Sequence, residues 1–333
     1  MQILAERAKV PSARLMTESF RGRQEFTQPD SNGTQEQITL SQPISCLGVG
    51  LHSGAPVRMR LKPAPVHHGI AFSRIDRPDS SLIPARYDHV IDTRLSTVIA
   101  CPHDSLTRVA TIEHLMAALH ANGIDNALIE IDGPEVPVLD GSAAEFDFLL
   151  QCAGKAPQQA SRQRIEVLQR VRVEGPHGAY AELRPARRGL ALAMSIDFHA
   201  SAIGQQRYAM PLTQNRFRQD VANCRTFVER HDIEALQKAG LARGGSLDNA
   251  IVVDGAEILN PSGLRRANEF VRHKLMDAVG DLYLAGHTLQ AGFMGHKSGH
   301  GLNNQLLRTL FSDQSNWRLV QDTTVSPALS AAA

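Results

Sequence analysis

FVRHKLMDAVGDLYLAG, residues 270–286, is the stretch on which the reading of this chain turns. Val271, Leu275, Ala278, Val279 and Leu282 recur at i, i+4, i+7, i+8 and i+11, the spacing of a helix with one face toward a core. On the polar side of that helix His273 and Asp277 stand one turn apart, and Asp281 continues the row. Taken alone, such a stripe reads as a solvated helix face. It becomes a site only if other metal-capable side chains converge on it.

TIEHLMAALH, residues 111–120, supplies the candidate. Thr111 is expected to cap a helix whose apolar side is Ile112, Leu115, Met116 and Leu119, leaving Glu113 and His114 adjacent in the first turn. The helix dipole favours a carboxylate there in any case. A glutamate beside a metal-capable imidazole is nevertheless what metal-assisted hydrolysis requires: one group holds the ion while its neighbour takes a proton from water. His114, His273 and Asp277 make three N/O ligands and leave a fourth tetrahedral position open, as catalytic zinc sites do. Ligand type suits Zn²⁺, with Fe²⁺ and Co²⁺ left open.

The remaining composition narrows the class. A chain of 333 residues, 42% hydrophobic and 21% charged, is an ordinary soluble globular protein, long enough for two domains. A net charge of +1 argues against a broad nucleic-acid footprint, and the basic cluster RPARR at 184–188 is expected to be a strand-end turn. Cys46, Cys101, Cys152 and Cys224 form no CxxC pair, so neither a disulfide framework nor a thiolate zinc site is indicated, and a reducing, cytoplasmic setting is expected. No run reaches the ~18 apolar residues of a membrane span, so a lipid substrate would be met from the aqueous side. GVGLHSG at 48–54 misses the dinucleotide fingerprint and GHKSGH at 295–300 misses the phosphate loop; both are expected to be turns.

Along the chain, residues 1–36 read as a flexible extension, 37–155 as a first α+β domain, and 156–164, within AGKAPQQASRQR, as a linker. Residues 165–315 read as a second α+β domain and 316–333 as a tail. VRMRLK at 57–62 and LALAMSID at 190–197 carry the period-2 alternation of half-buried strands. VRMRLKPAPVHHGIAF in the first half is echoed by AYAELRPARRGLALAM in the second, so the halves are expected to be related.

TIEHLMAAL, GIDNALIEIDGPEVPVLDGSA, CRTFVERHDIEALQKAGLARGGSLDNAIVVD, FVRHKLMDAVGDL and HKSGHGLNN occur in this order. Over about residues 40 to 312 the chain resembles the bacterial UDP-3-O-acyl-N-acetylglucosamine deacetylases, zinc amidases of lipid A biosynthesis. The resemblance implies an α+β fold of two related domains, with helices packed between two sheets in a β-α-α-β sandwich. It implies that a monomer hydrolyses the acetamide of UDP-3-O-(3-hydroxyacyl)-N-acetylglucosamine to the free amine and acetate, the committed step of that pathway. His114, His273 and Asp277 fall where the family binds Zn²⁺, and Glu113 falls on its general base. Thr226 matches the residue that stabilises the oxyanion, His300 the electrostatic stabiliser and general acid, and Asp281 the carboxylate that orients it. Lys274, Phe227, Asp232 and Lys297 match positions associated with the substrate and its UDP.

The chain departs from the family in a few places. IDFHASAIGQQRYAM at 196–210 corresponds to the segment forming an apolar passage for the acyl chain and is about two residues shorter, which bears on acyl length. Arg94 and Ser96 stand where some relatives have methionine and cysteine, and Glu229 and His231 where some have an aromatic residue and an arginine. Rival readings are a zinc deacetylase of another acylated amino sugar and a noncatalytic nucleotide-sugar or lipid-binding protein. The partners expected are the UDP-linked acylated glucosamine and at most a transient membrane-surface contact, with no nucleic acid.

Overall fold

The computed structural model of the chain describes residues 36–321 apart from Pro78, so the expectations for residues 1–35 and 322–333 lie outside the described residues. VRMRLK lies within the strand Pro56–Pro63, with Val57, Met59 and Leu61 buried and the residues between them facing out. LALAMSID is the strand Leu190–Asp197, with Leu190, Leu192, Met194 and Ile196 buried. Alternation therefore placed both strands on the correct face.

The first sheet runs in the order Ile44–Val49, Pro56–Pro63, Ala127–Ile131, Ile70–Arg74, Ile83–Pro84. Its central strand Ala127–Ile131 is antiparallel to Pro56–Pro63 and parallel to Ile70–Arg74. The second sheet repeats this plan: Thr288–His296 is antiparallel to Tyr180–Pro185 and parallel to Leu190–Asp197, with Val171–Glu174 and Gln205–Pro211 beyond them. The echo between the two sequence halves is thus a repeated topology.

Each central strand is entered from one helix and left into another. In the first half these are α1 (Glu113–Asn122) and α2 (Ala144–Ala153). After two shorter helices, α3 (Gln214–Asp220) and α4 (Arg230–Lys238), the second half has α5 (Glu269–Tyr283) and α6 (His300–Phe311). The helices α1 and α5 pack on each other between the sheets, so the chain is an α+β sandwich with one continuous core.

All ten residues of α1 are buried, with α5 covering one side and α2 another. Small residues permit it: a Cβ on Gly280 would lie 2.0 Å from the Glu113 carbonyl oxygen and 3.0 Å from the Ala117 nitrogen. One turn further on, the His120 ring stacks on Tyr283 at 4.3 Å and its Nδ1 lies 3.0 Å from the Val279 carbonyl. The Tyr283 hydroxyl donates to the Ile124 carbonyl at 2.6 Å. Burial pushes the His120 imidazole down to about 4, so it remains neutral in the interface.

Three local expectations need correction. Thr111 does not cap α1: it has φ 58° and its hydroxyl donates to Glu135 Oε1 at 3.0 Å. Glu135 also accepts from the His52 and Ser53 N–H groups, so Thr111 is held by a loop rather than by its own helix. The polar stripe of α5 faces the first half of the chain, where α1 covers it: His273, Asp277 and Asp281 are each 3% exposed. The segment read as a linker contains the strand Lys155–Ser161, antiparallel to Glu36–Leu40. Its polar residues hid it, yet Gln158 accepts from Asn126 Nδ2 and donates to the Ala64 carbonyl. Finally, the first part of the presumed tail is the strand Trp317–Gln321, antiparallel to Gln163–Val167.

Replacing Gly280 by Ala forces a methyl group into the backbone of a helix that cannot retreat. The expected cost is about 3 kcal/mol, or a Tm lower by roughly 6 °C or more at 2–4 °C per kcal/mol, read by circular dichroism. An unchanged Tm would contradict so close a helix approach.

Candidate active site

The site lies where the first turn of α1 faces the middle of α5. His114 Nε2 is 3.5 Å and His273 Nε2 is 3.4 Å from Asp277 Oδ1, and the imidazole rings meet edge to face at 5.0 Å. One ligand atom from each of the three residues lies within 4.8 Å of the others. His273 Nδ1 is 3.0 Å from the Cys224 carbonyl, which fixes the tautomer that turns the Nε2 lone pair toward the cluster.

These three residues fit a small divalent cation. Tetrahedral bonds of 2.0–2.1 Å place neighbouring ligand atoms about 3.3–3.4 Å apart, close to the two separations found. Asp277 Oδ1 is buried without a hydrogen-bond partner, a costly state for a carboxylate oxygen unless a cation meets it. Burial lowers the His273 pKa to about 4, so its imidazole is neutral and free to coordinate. Burial acts against charge on Asp277, but His273 and Lys274 overcome it and hold the carboxyl well below the usual carboxylate range. Lys274 Nζ donates to the other oxygen, Oδ2, at 2.9 Å.

Beside the cluster is a second group of polar side chains. Glu113 Oε1 lies 3.7 Å from His300 Nε2, and Glu113 Oε2 accepts the Thr97 N–H at 3.0 Å. His300 opens α6, and its Nδ1 meets Asp281 Oδ2 at 2.9 Å. That same oxygen accepts from Asn303 Nδ2 at 2.8 Å, and Asp281 Oδ1 accepts the Thr97 hydroxyl at 2.6 Å. Burial opposes charge on His300, but the carboxylates of Asp281 and Glu113 prevail and raise its pKa to about 9. Burial likewise raises Glu113 above its ordinary range, against the pull of His300 and His114.

Thr226 precedes, and Phe227 opens, the short strand Phe227–Glu229 that leads into α4. The Thr226 N–H donates to the Gly141 carbonyl and its own carbonyl accepts from Ile251. Gly141 allows that contact, since a Cβ there would fall 1.8 Å from the Asn249 carbonyl oxygen. The Phe227 ring packs edge-on against His273 at 6.1 Å, Phe270 at 5.0 Å and Phe198 at 5.5 Å. Phe198 belongs to the turn between Leu190–Asp197 and Gln205–Pro211, so an apolar path runs from the second-half hairpin to a candidate ligand.

The structure thus brings together Glu113, His114, His273, Lys274, Asp277, Asp281 and His300, with Phe227 alongside, while Thr226 is held by backbone bonds two residues after the Cys224 carbonyl that meets His273. Two expected residues stand apart from this network. Asp232 is exposed on α4 with His231 Nε2 3.3 Å away, and the Lys297 ammonium is engaged by Asp197 at 2.7 Å. The Arg94 side chain, 88% exposed, pairs with Asp92 and points away, whereas Thr97 three residues on reaches Glu113 and Asp281.

Four contributors escaped the sequence reading: Thr97, Asn303, the Cys224 carbonyl and Glu269. Only Asn303 had a visible signal, being three residues after His300 on one helix face. Glu269 is fully buried, pairs with Arg225 at 3.0 Å, and accepts the N–H groups of Arg225 and Arg265. It thereby fixes the segment that presents both the Cys224 carbonyl and Thr226.

Residues 37–312 match the UDP-3-O-acyl N-acetylglycosamine deacetylase family, LpxC. The chain belongs to this family. It is 47% identical over 286 residues to the UDP-3-O-acyl-N-acetylglucosamine deacetylase of Acidithiobacillus ferrooxidans, covering 85% of this chain and 92% of that one. The proteins of the same name from Mannheimia succiniciproducens and Shewanella woodyi are 45% and 44% identical, over 86% and 85% of this chain and 93% and 92% of theirs. The matched span contains every residue of the cluster.

Glu269→Ala leaves Arg225 buried and unpaired. The expected loss of stability is about 3–5 kcal/mol, measured by urea unfolding; a loss below about 1 kcal/mol would remove the pair from its anchoring role.

Proposed function

We propose that this protein is a zinc-dependent deacetylase that hydrolyses the acetamide of UDP-3-O-(3-hydroxyacyl)-N-acetylglucosamine, leaving the free amine and acetate, in lipid A biosynthesis. The observation that carries the reading is the buried, unpartnered Asp277 oxygen facing two imidazoles with Glu113 next to them. Family membership and the names of the relatives support the substrate class.

His114, His273 and Asp277 would hold the ion. When bound, Zn²⁺ supplies Lewis acidity that makes water nucleophilic near neutral pH and polarises a carbonyl. Glu113, its Oε2 fixed by Thr97, accepts the proton of the attacking water. As charge builds on the amide oxygen, the Thr226 hydroxyl and the cationic His300 stabilise it, each donor contributing about 3–4 kcal/mol. The amine leaves only once protonated. His300 supplies that proton, and Asp281 keeps the imidazole charged and aimed at the site until then.

The substrate's other parts have partners of suitable chemistry. Phe227 and the apolar surface running to Phe198 suit the acyl chain. Lys274 donates to Asp277 at the cluster, and we assign it to the polar head of the substrate and Lys297 and Asp232, outside the cluster, to the nucleotide. None of the described helices is long and apolar enough to cross a membrane, and the four cysteines are free. We assign the protein to the cytoplasm as a monomer that meets its lipid substrate from the aqueous side.

Purified protein should release acetate from the UDP-linked substrate, lose that activity to a chelator and regain it with one equivalent of Zn²⁺. Activity that survives complete metal removal would end this reading.

The pH profile follows from His300. Its charged form prevails below about 9 and is lost above it, so kcat should stay level from neutral pH to about 9 and then fall. In His300→Gln protein that alkaline fall should disappear along with most of the turnover, measured as kcat from pH 6 to 10.5.

A further inference from the structure

Thr97 touches both Glu113 and Asp281, the carboxylate that holds His300, from a position that the family assignment leaves without a role. Its N–H donates to Glu113 Oε2 at 3.0 Å and its hydroxyl donates to Asp281 Oδ1 at 2.6 Å. Its carbonyl accepts from the Ile112 N–H at 3.4 Å. Thr97 is 2% exposed and stands immediately before the strand Val98–Cys101, whose antiparallel partner Asp104–Val109 leads into α1.

Glu113 and Thr97 belong to the first half of the chain, whereas Asp281, His300 and Asn303 belong to the second. The bonds from Asp281 to His300 and Asn303 stay within the second half. The Thr97 hydroxyl is therefore the bond that ties this carboxylate to the half carrying the base. A buried hydroxyl needs an acceptor somewhere. This one takes the free oxygen of a carboxylate that already has two donors, while the adjacent N–H of the same residue holds the base.

We infer that Thr97 is a positioning residue that sets the distance between the proton acceptor Glu113 and the proton donor His300, by fixing Glu113 directly and His300 through Asp281. This inference rests on the deacetylase reading above. Because the side chain touches neither the candidate ligands nor the substrate groups named above, its loss should leave ground-state binding alone and impair the step that needs both groups in place.

The test compares kcat, KM and bound zinc in wild type, Thr97→Val, Thr97→Ser, Asp281→Asn and the Thr97→Val/Asp281→Asn double variant. Valine keeps the shape and the backbone N–H but removes the hydroxyl; serine keeps the hydroxyl. Misplacement of a catalytic group by about 1 Å lowers turnover by roughly a hundredfold. The expected result for Thr97→Val is a fall in kcat of roughly ten- to a hundredfold, with KM and zinc content unchanged. Thr97→Ser should recover most of the rate, and the double variant should be no slower than Asp281→Asn alone, as expected when one residue acts through the other. If the valine variant does not fold, Thr97→Cys, of similar size and with only a weak donor, takes its place with the same expectation.

Full kcat in Thr97→Val, equal impairment in the serine and valine variants, or additive losses in the double variant would each overturn the positioning role. Absence of acetate release by the wild-type protein would instead bring down the deacetylase reading itself, so the two failures are distinct.

Discussion

The site depends on how closely two helices approach. The turn of α5 at Gly280 lies against the Glu113 carbonyl with no room for a methyl group, and this contact brings residues far apart in sequence within ligand distance of one another. A helix pair spaced by ordinary side chains sits at 8–10 Å between axes. Gly280, set against the Glu113 carbonyl and the Ala117 nitrogen, lets the backbones come closer. The remainder of α1 is covered on all sides, so the chain can bury Glu113, His114 and His120 only by giving each a specific partner.

Charge is arranged around that contact with little redundancy. Buried carboxylates at Glu113, Asp277 and Asp281 would repel one another and resist desolvation if left bare. Asp281 is satisfied by three donors and Glu113 by a backbone N–H with a charged histidine beyond it, whereas Asp277 has one ammonium on Oδ2 and keeps Oδ1 unpartnered toward the two imidazoles. The asymmetry is informative. His273 is held neutral and His300 is held charged, although both are buried, because one faces a carbonyl and a lysine-paired carboxylate while the other faces two carboxylates. Environment assigns one imidazole to coordination and the other to proton transfer.

Much of this was legible in the sequence for reasons that can be named. Ligand type and helical spacing marked His273, Asp277 and Asp281, and a carboxylate beside an imidazole in a helix's first turn marked Glu113 and His114. Strand alternation set the faces of Pro56–Pro63 and Leu190–Asp197. What could not be read depends on contacts made only after folding. Thr97 and Glu269 act through backbone N–H groups and carboxylates distant in the chain, and the Cys224 contribution is a main-chain oxygen that no side-chain pattern reveals. The strand Lys155–Ser161 lacked the β-branched and aromatic residues that signal a strand, because its glutamines are used to satisfy neighbouring polar groups. Thr111 was misassigned because local capping lost to a more distant acceptor, Glu135.

The repeated topology of the two sheets has a kinetic corollary. One presumed ligand comes from the first copy and two from the second, so an isolated copy could build such a cage only by finding another in solution. Joining the copies in one polypeptide replaces that encounter with an intramolecular one, at an effective concentration on the order of millimolar. The cage then forms at the same rate whether the cell makes ten molecules of the protein or ten thousand.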